Sequence, residues 1–126
     1  QALVCEDSPL NLEIISTILT SFGMVVTGAQ NGKAGVEAFA ASETGRFDVV
    51  LMDLRMPVMD GVSAAYAIRA LDRPDAKSVP ILAVSADAFA EDVEKCRAAG
   101  MNGHVAKPID PSSLCHSLVA CMGKTA

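Results

Sequence analysis

The segment VVLMDLRMPVMDGVSAA, residues 49–65, runs four apolar side chains, Val49, Val50, Leu51 and Met52, directly into an aspartate, Asp53. An unbroken apolar run of this length suits a strand buried on both faces of a parallel sheet, because alternation is expected only where one face meets water. Pro57 and the pair Asp60-Gly61 then interrupt the chain. Asp60 can cap a following helix whose apolar stripe is Val62, Ala65, Ile68 and Leu71. Asp53 therefore stands at the C-terminal end of a buried strand.

The same grammar recurs on both sides of this segment. Apolar runs at residues 2–5, 25–29, 81–84 and 104–106 read as four more strands. Leu12, Ile15, Leu19 and Phe22 recur at helical spacing behind Ser8-Pro9, an N-cap with proline at the first helical position, and Gly23 supplies the stop. Val36, Phe39 and Ala40 mark a second helix after Asn31-Gly32. Phe89, Val93 and Cys96 mark a fourth that ends near Gly100, and Leu114, Leu118 and Cys121 a fifth opened by Asp110-Pro111. Residues 72–79 read as a surface loop. Strand and helix alternate five times, which predicts an α/β, doubly wound parallel sheet with helices on both faces and right-handed crossovers.

The totals agree with one domain. A chain of 126 residues fits a single core, and 51% hydrophobic with 20% charged residues is ordinary for a globular protein. No apolar stretch approaches the roughly 18 residues that span a bilayer. A net charge of −5 repels phosphate backbones, so direct nucleic-acid binding is not expected, nor membrane contact by this domain. Cys5, Cys96, Cys115 and Cys121 have no metal-ligand spacing and each falls within an apolar pattern; four buried free thiols in a reducing, cytoplasmic compartment are expected. The chain opens on Gln1 without a basic leader, which suggests one domain, residues 1–126, excised from a longer protein.

Four strand ends carry polar groups: Glu6-Asp7, Asp53, Ser85 and Lys107. In a doubly wound sheet these ends share one edge, where ligands bind at the switch point of strand order. Adjacent acids such as Glu6-Asp7 are more often a solvated turn, and Ser85 or Lys107 alone would signify little; their common edge gives them weight. Close carboxylates repel by about 1 kcal/mol per pair in water and about 4 at an effective dielectric of 20. A hard cation relieves that repulsion, and oxygen-only ligands favour Mg2+ over zinc. Lys107 can offer a positive charge to a phosphoryl oxygen and Ser85 a hydroxyl. These are parts for phosphoryl transfer, with a carboxylate such as Asp53 able to form an acyl phosphate. The stretch Asn31-Gly32-Lys33-Ala34-Gly35 is no P-loop, since it lacks the Gly-Lys-Ser/Thr ending. Met52, Met56 and Met59 read as core and loop packing, and His116 as a surface residue.

The set CEDSPLN (5–11), LMDLRMPVMDG (51–61), AVSA (83–86) and HVAKPI (104–109) resembles the receiver domain of two-component response regulators, across the whole chain and in the family's order. The mixture looks most like receivers attached to hybrid histidine kinases. The resemblance implies a flavodoxin-like strand order 2-1-3-4-5. It implies that Asp53 accepts a phosphoryl group from a phosphohistidine on a histidine kinase or histidine phosphotransfer domain. Glu6, Asp7, Asp53 and the backbone carbonyl of Arg55 would hold Mg2+. Ser85 would be the switch hydroxyl and Lys107 an ion-pair partner of the phosphoryl group, while the small Ala86 would leave access. A cis Lys107-Pro108 bond is implied as well, and a switched surface over the fourth helix, fifth strand and fifth helix. Two positions depart from the pattern: His104 stands where many members carry Tyr or Phe as the rotating switch residue, and Ser8 where Asn is frequent.

Other classes fit less well. A haloacid-dehalogenase-type phosphatase needs a second acid two residues after the nucleophile, where this chain has Arg55. A flavin carrier would have its phosphate repelled by Glu6-Asp7. A pseudo-receiver used only for docking would be expected to lack a site residue. The expected role is thus a regulatory phosphoacceptor rather than a metabolic enzyme.

Overall fold

The computed structural model describes residues 1–54, 56, 58–85, 90–106 and 109–122, with the backbone alone for 90–93, 106, 121 and 122. Five parallel strands, β1 (Ala2–Cys5), β2 (Val26–Ala29), β3 (Val49–Asp53), β4 (Ile81–Ser85) and β5 (Gly103–Ala106), form one sheet in the order β2-β1-β3-β4-β5. This is the flavodoxin-like arrangement expected from the sequence. Every residue of β1, β3 and β4 is buried, which explains their unbroken apolar runs; β2, at the sheet edge, is largely half-buried.

Helices cover both faces. One core layer joins Phe39 of α2 (Gly32–Ala41), Ala65 and Ile68 of α3 (Gly61–Arg69) and Cys96 of α5 (Ala90–Ala98) to Leu3, Val50, Met52 and Ala83 of the sheet. The other joins Ile15 and Leu19 of α1 (Pro9–Ser21) and Leu114 and Leu118 of α6 (Pro111–Met122) to Val4, Leu51, Val84 and Val105. The predicted caps form. Ser8 Oγ accepts from Asn11 N–H at 3.3 Å, Asn31 Oδ1 from Ala34 at 2.7 Å, Asp60 Oδ1 from Ser63 at 2.8 Å and Asp110 Oδ2 from Ser113 at 2.9 Å. Each satisfies an amide that the first helical turn leaves without a partner.

Three expectations need correction. Residues 72–79 contain a short helix, α4 (Asp75–Ser78), so the expected fourth and fifth helices are α5 and α6. Four residues are too few to carry a helical period, and α4 is organised instead by Arg73, whose guanidinium meets Asp75 at 2.6 Å and also donates to Phe39 O and Ser42 O at the end of α2. Of the expected buried thiols, Cys5 and Cys96 are buried but Cys115 is exposed. Its neighbour Leu114 occupies the buried stripe of α6, and one residue further turns about 100° toward water. The Cys121 side chain lies outside the described residues. Phe22, expected on the stripe of α1, is the C-cap and is exposed. Met52 is buried, Met56 and Met59 pack against the core, and His116 is exposed, as read from the sequence.

Helix α2 approaches β1 through a glycine. A Cβ on Gly35 would run into Cys5 Sγ. Burial pushes the Cys5 thiol up to about 12, so this sulfur is packing rather than chemistry. Gly35→Ala should therefore destabilise the domain: overpacking costs about 1–3 kcal/mol, against about 1 kcal/mol gained in helix propensity. Urea unfolding should show Cys5→Ala restoring most of the loss in the Gly35→Ala background, because it removes the colliding sulfur.

The Arg73–Asp75 pair gives stability a pH dependence. Both side chains are little exposed, 13% and 12%, and Asp75 Oδ2 also accepts from Gly45 N–H at 2.8 Å. The Arg73 hydrogen bond, aided by Gly45, holds the Asp75 carboxyl below its ordinary 3.8 despite some desolvation. A depressed carboxylate contributes fully above that ordinary value and loses its contribution as pH falls through the folded-state value. Wild type should lose urea resistance below about pH 3.8 more steeply than Asp75→Asn, which is weaker at pH 7 but lacks this titration.

Candidate functional site

The site grows from the sheet's C-terminal edge. Cys5 and Met52 form the last β1–β3 rung, so Glu6 and Asp53 leave the ladder side by side. Glu6 N–H still bonds Ala29 O at 2.9 Å, and Leu54 N–H bonds Val84 O at 3.0 Å; the sheet's hydrogen bonding thus extends to the residues that carry the acids. Ser8 N–H donates to Glu6 Oε2 at 3.2 Å, which ties the carboxylate to the start of α1. Glu6 and Asp53 are 1% and 3% exposed, whereas Asp7 is exposed. One carboxylate oxygen from each of Glu6, Asp7 and Asp53 lies within 4.8 Å of the others.

This cluster fits a hard divalent ion. All three donors are carboxylate oxygens, two buried and one open to water, a combination that suits Mg2+, which retains water ligands, better than a closed thiolate or imidazole site. Ser85, 3% exposed, ends β4 one residue beyond Val84, the rung partner of Asp53. The predicted acids and hydroxyl thus share one sheet edge. Arg55 with its backbone carbonyl, Ala86, Lys107 and the Lys107-Pro108 bond lie outside the described residues.

The loop after Asp53 is seated by two glycines that sequence reading treated only as turn and cap. Gly61 N–H donates to Leu54 O at 3.1 Å, and a Cβ there would strike the carbonyl oxygen of Asp53. Gly32 N–H donates to Met59 O at 3.1 Å, and a Cβ there would strike that oxygen. The signal was present in Asp60-Gly61, since glycine is the residue that permits such backbone approach. Between them Val58 is held at φ 68°, a left-handed conformation costly for a β-branched side chain, and is 77% exposed.

His104 lies on β5, opposite Ala83. Its Nε2 is buried and has no hydrogen-bond partner among the described residues. The ring borders a cavity of about 120 Å3 with Cys96, Met101 and Asn102, between α5 and β5.

Comparison with known proteins places this geometry in a family. The response regulator receiver domain profile matches residues 2–119. Hybrid signal transduction histidine kinase I of Dictyostelium discoideum is 36% identical over 116 residues, covering 90% of this chain and 7% of that protein. Sensor protein GacS of Pseudomonas syringae pv. syringae is 35% identical over 124 residues, covering 98% of the chain and 13% of that protein. The chain thus spans a small fraction of these relatives' length. Among solved structures, the receiver domain of a sensor histidine kinase from Pseudomonas aeruginosa, with a magnesium ion coordinated in its active-site cleft, superposes with a TM-score of 0.86 at 38% identity, covering 98% of this chain and 97% of that one. A chemotaxis protein of Vibrio cholerae gives a TM-score of 0.87 at 28% identity, covering 95% and 96%. The strand order, the acidic cluster at the sheet edge and these matches agree: the chain belongs to the response regulator receiver domain family.

Proposed function

We propose that this regulatory domain takes a phosphoryl group from a phosphohistidine onto Asp53 and reports it through the surface of α5, β5 and α6. The observation that carries the reading is the convergence of the Glu6, Asp7 and Asp53 carboxylates at the end of two buried strands. Glu6, Asp7, Asp53 and the Arg55 carbonyl would hold Mg2+, whose charge offsets that of the carboxylate and phosphoryl oxygens. An Asp53 oxygen attacks phosphorus, the P–N bond breaks, and its electron pair leaves with the imidazole. Lys107 pairs with a phosphoryl oxygen, Ser85 donates its hydroxyl to another, and His104 follows the β4 and β5 ends as they adjust. The same reading includes phosphorylation from small donors and hydrolysis of the acyl phosphate.

The parent is read as a longer hybrid histidine kinase with this module on the cytoplasmic side. No helix among the described residues is long and apolar enough to cross a membrane. A histidine kinase or histidine phosphotransfer domain is the donor. Leu10 and Ile14, 66% and 40% exposed and four residues apart on α1, form an apolar rim that begins just after Glu6-Asp7.

Incubation with Mg2+ and a small acyl phosphate should add one phosphoryl mass, stable in acid and labile in base. The adduct should vanish in Asp53→Asn and in excess chelator. An adduct that persists in Asp53→Asn removes the assignment.

A second measurement separates chemistry from docking. Leu10→Asp combined with Ile14→Asp should slow transfer from a phosphohistidine donor at least tenfold, while the rate with the small acyl phosphate stays within twofold. Equal loss with both donors would place these residues in the chemistry instead.

A further inference from the structure

Cys96, Met101 and His104 have no metal-ligand spacing in sequence, yet the fold sets them around one cavity. Cys96 and Met101 belong to the same core layer as Ala83, and His104 pairs with Ala83 across the β4–β5 ladder. Paired residues direct their side chains to the same face of a sheet, so the imidazole joins the two sulfurs on the α5 side. The cavity between α5 and β5, about 120 Å3, is lined by Cys96, Arg97, Met101, Asn102, Gly103 and His104. Gly103 and His104 open β5, which puts this cavity toward the opposite end of the strands from the acidic cluster.

The backbone around it is fixed. A Schellman turn at Gly100, φ 89°, ends α5: Gly100 N–H bonds Arg97 O at 3.0 Å, and Met101 N–H bonds Cys96 O at 2.9 Å, which folds Met101 back beside Cys96. Arg69, the last residue of α3, donates through Nη2 to Gly100 O at 2.6 Å and to Asn102 Oδ1 at 2.9 Å. Asn102 Oδ1 also accepts from Ile81 N–H at 2.8 Å. That oxygen is committed, and the remaining side-chain donors of the lining are sulfur and nitrogen.

Their chemistry selects a ligand. Cys96 and Met101 are 5% and 8% exposed, and His104 Nε2 is buried with no hydrogen-bond partner among the described residues. A buried nitrogen in that state costs free energy that a metal bond recovers, and imidazole, thiolate and thioether together form a soft set. Mg2+ and Ca2+ require oxygen. Zn2+ in a closed site takes four ligands, and no carboxylate lines this cavity to complete them. Cu(I) accepts fewer and softer donors. The Arg97 guanidinium, 72% exposed and 3.6 Å from Glu94 Oε1, is screened by water and by that carboxylate; with the exposed Asn102 it marks the entry path.

We propose that Cys96, Met101 and His104 form a Cu(I) site. Binding exchanges the Cys96 S–H bond for a Cu–S bond and releases the proton to buffer; copper enters as Cu(I), so no electron is transferred. His104 supplies Nε2 with its proton on Nδ1, and Met101 supplies its thioether.

Titration of the intact chain with Cu(I), held anaerobically on bicinchoninate and followed by nitrogen NMR of the two histidines, tests the site; His116 is exposed and serves as the internal control. One Cu(I) should bind per chain and shift the His104 Nε2 resonance while both His116 nitrogens stay in place. Mg2+ should move neither. Cys96→Ala and His104→Phe should each weaken binding at least a hundredfold, and Met101→Leu at least threefold. The Cys115→Ser/Cys121→Ser double variant should stay within twofold of wild type. Where a cavity variant fails to fold, the wild-type spectrum and the double variant still decide. Copper lost with the double variant, or a His116 shift in place of His104, means ions held by Cys115 or Cys121 only and overturns the site. So does an affinity unchanged in Cys96→Ala, or a wild type that binds no Cu(I).

Discussion

The mutual repulsion of three carboxylates is the constraint around which the domain is built. Free chains would let Glu6, Asp7 and Asp53 separate, and nothing in their own chemistry draws them together. The sheet imposes the contact. β1 and β3 are buried along their whole length, and the ladder continues through Glu6 N–H and Leu54 N–H to the acids themselves. Each rung and each buried apolar side chain offsets part of the repulsion, and a bound cation would offset more of it. The site is crowded in negative charge, which is the condition a hard cation such as Mg2+ would relieve.

Backbone approach completes the enclosure. Where α2 and α3 begin, Gly32 and Gly61 stand against the carbonyls of Met59 and Asp53, leaving no space for a methyl group. Leu54 and Met59 are thus each tied to the start of a helix, and Val58, next to Met59, takes a left-handed conformation.

Much of this was legible in sequence. Continuous apolar runs announced strands buried on both faces, and Ser8, Asn31, Asp60 and Asp110 announced helix starts, because capping is local chemistry. The site was readable for a related reason: parallel topology sends every strand's C-terminal residue to one edge, so convergence follows from the order of elements. What escaped was whatever depends on tertiary approach. Arg69 carries no sequence mark that distinguishes it from a solvated arginine, since its partners are carbonyls up to 33 residues away. Helix α4 is too short for periodicity, and Cys115 was misjudged because one residue decides which side of the stripe a thiol faces. Asp60-Gly61 reads as an interruption and cap, and only the fold shows that Gly61 abuts the Asp53 carbonyl.

The energetics of switching limit what the site can do alone. On the proposed reading, phosphorylation would replace the single charge of an aspartate by about −1.5 to −2, a net gain of at most about one negative charge at an edge already dense in carboxylates. A hydrogen bond from Ser85 to a charged phosphoryl oxygen, as proposed, would contribute about 1.5–3 kcal/mol, whereas moving a two-state element from 1:99 to 99:1 takes about 5.5 kcal/mol. One hydroxyl therefore cannot complete the switch. On the proposed reading, the balance would come from Lys107 or from a partner that binds the phosphorylated form.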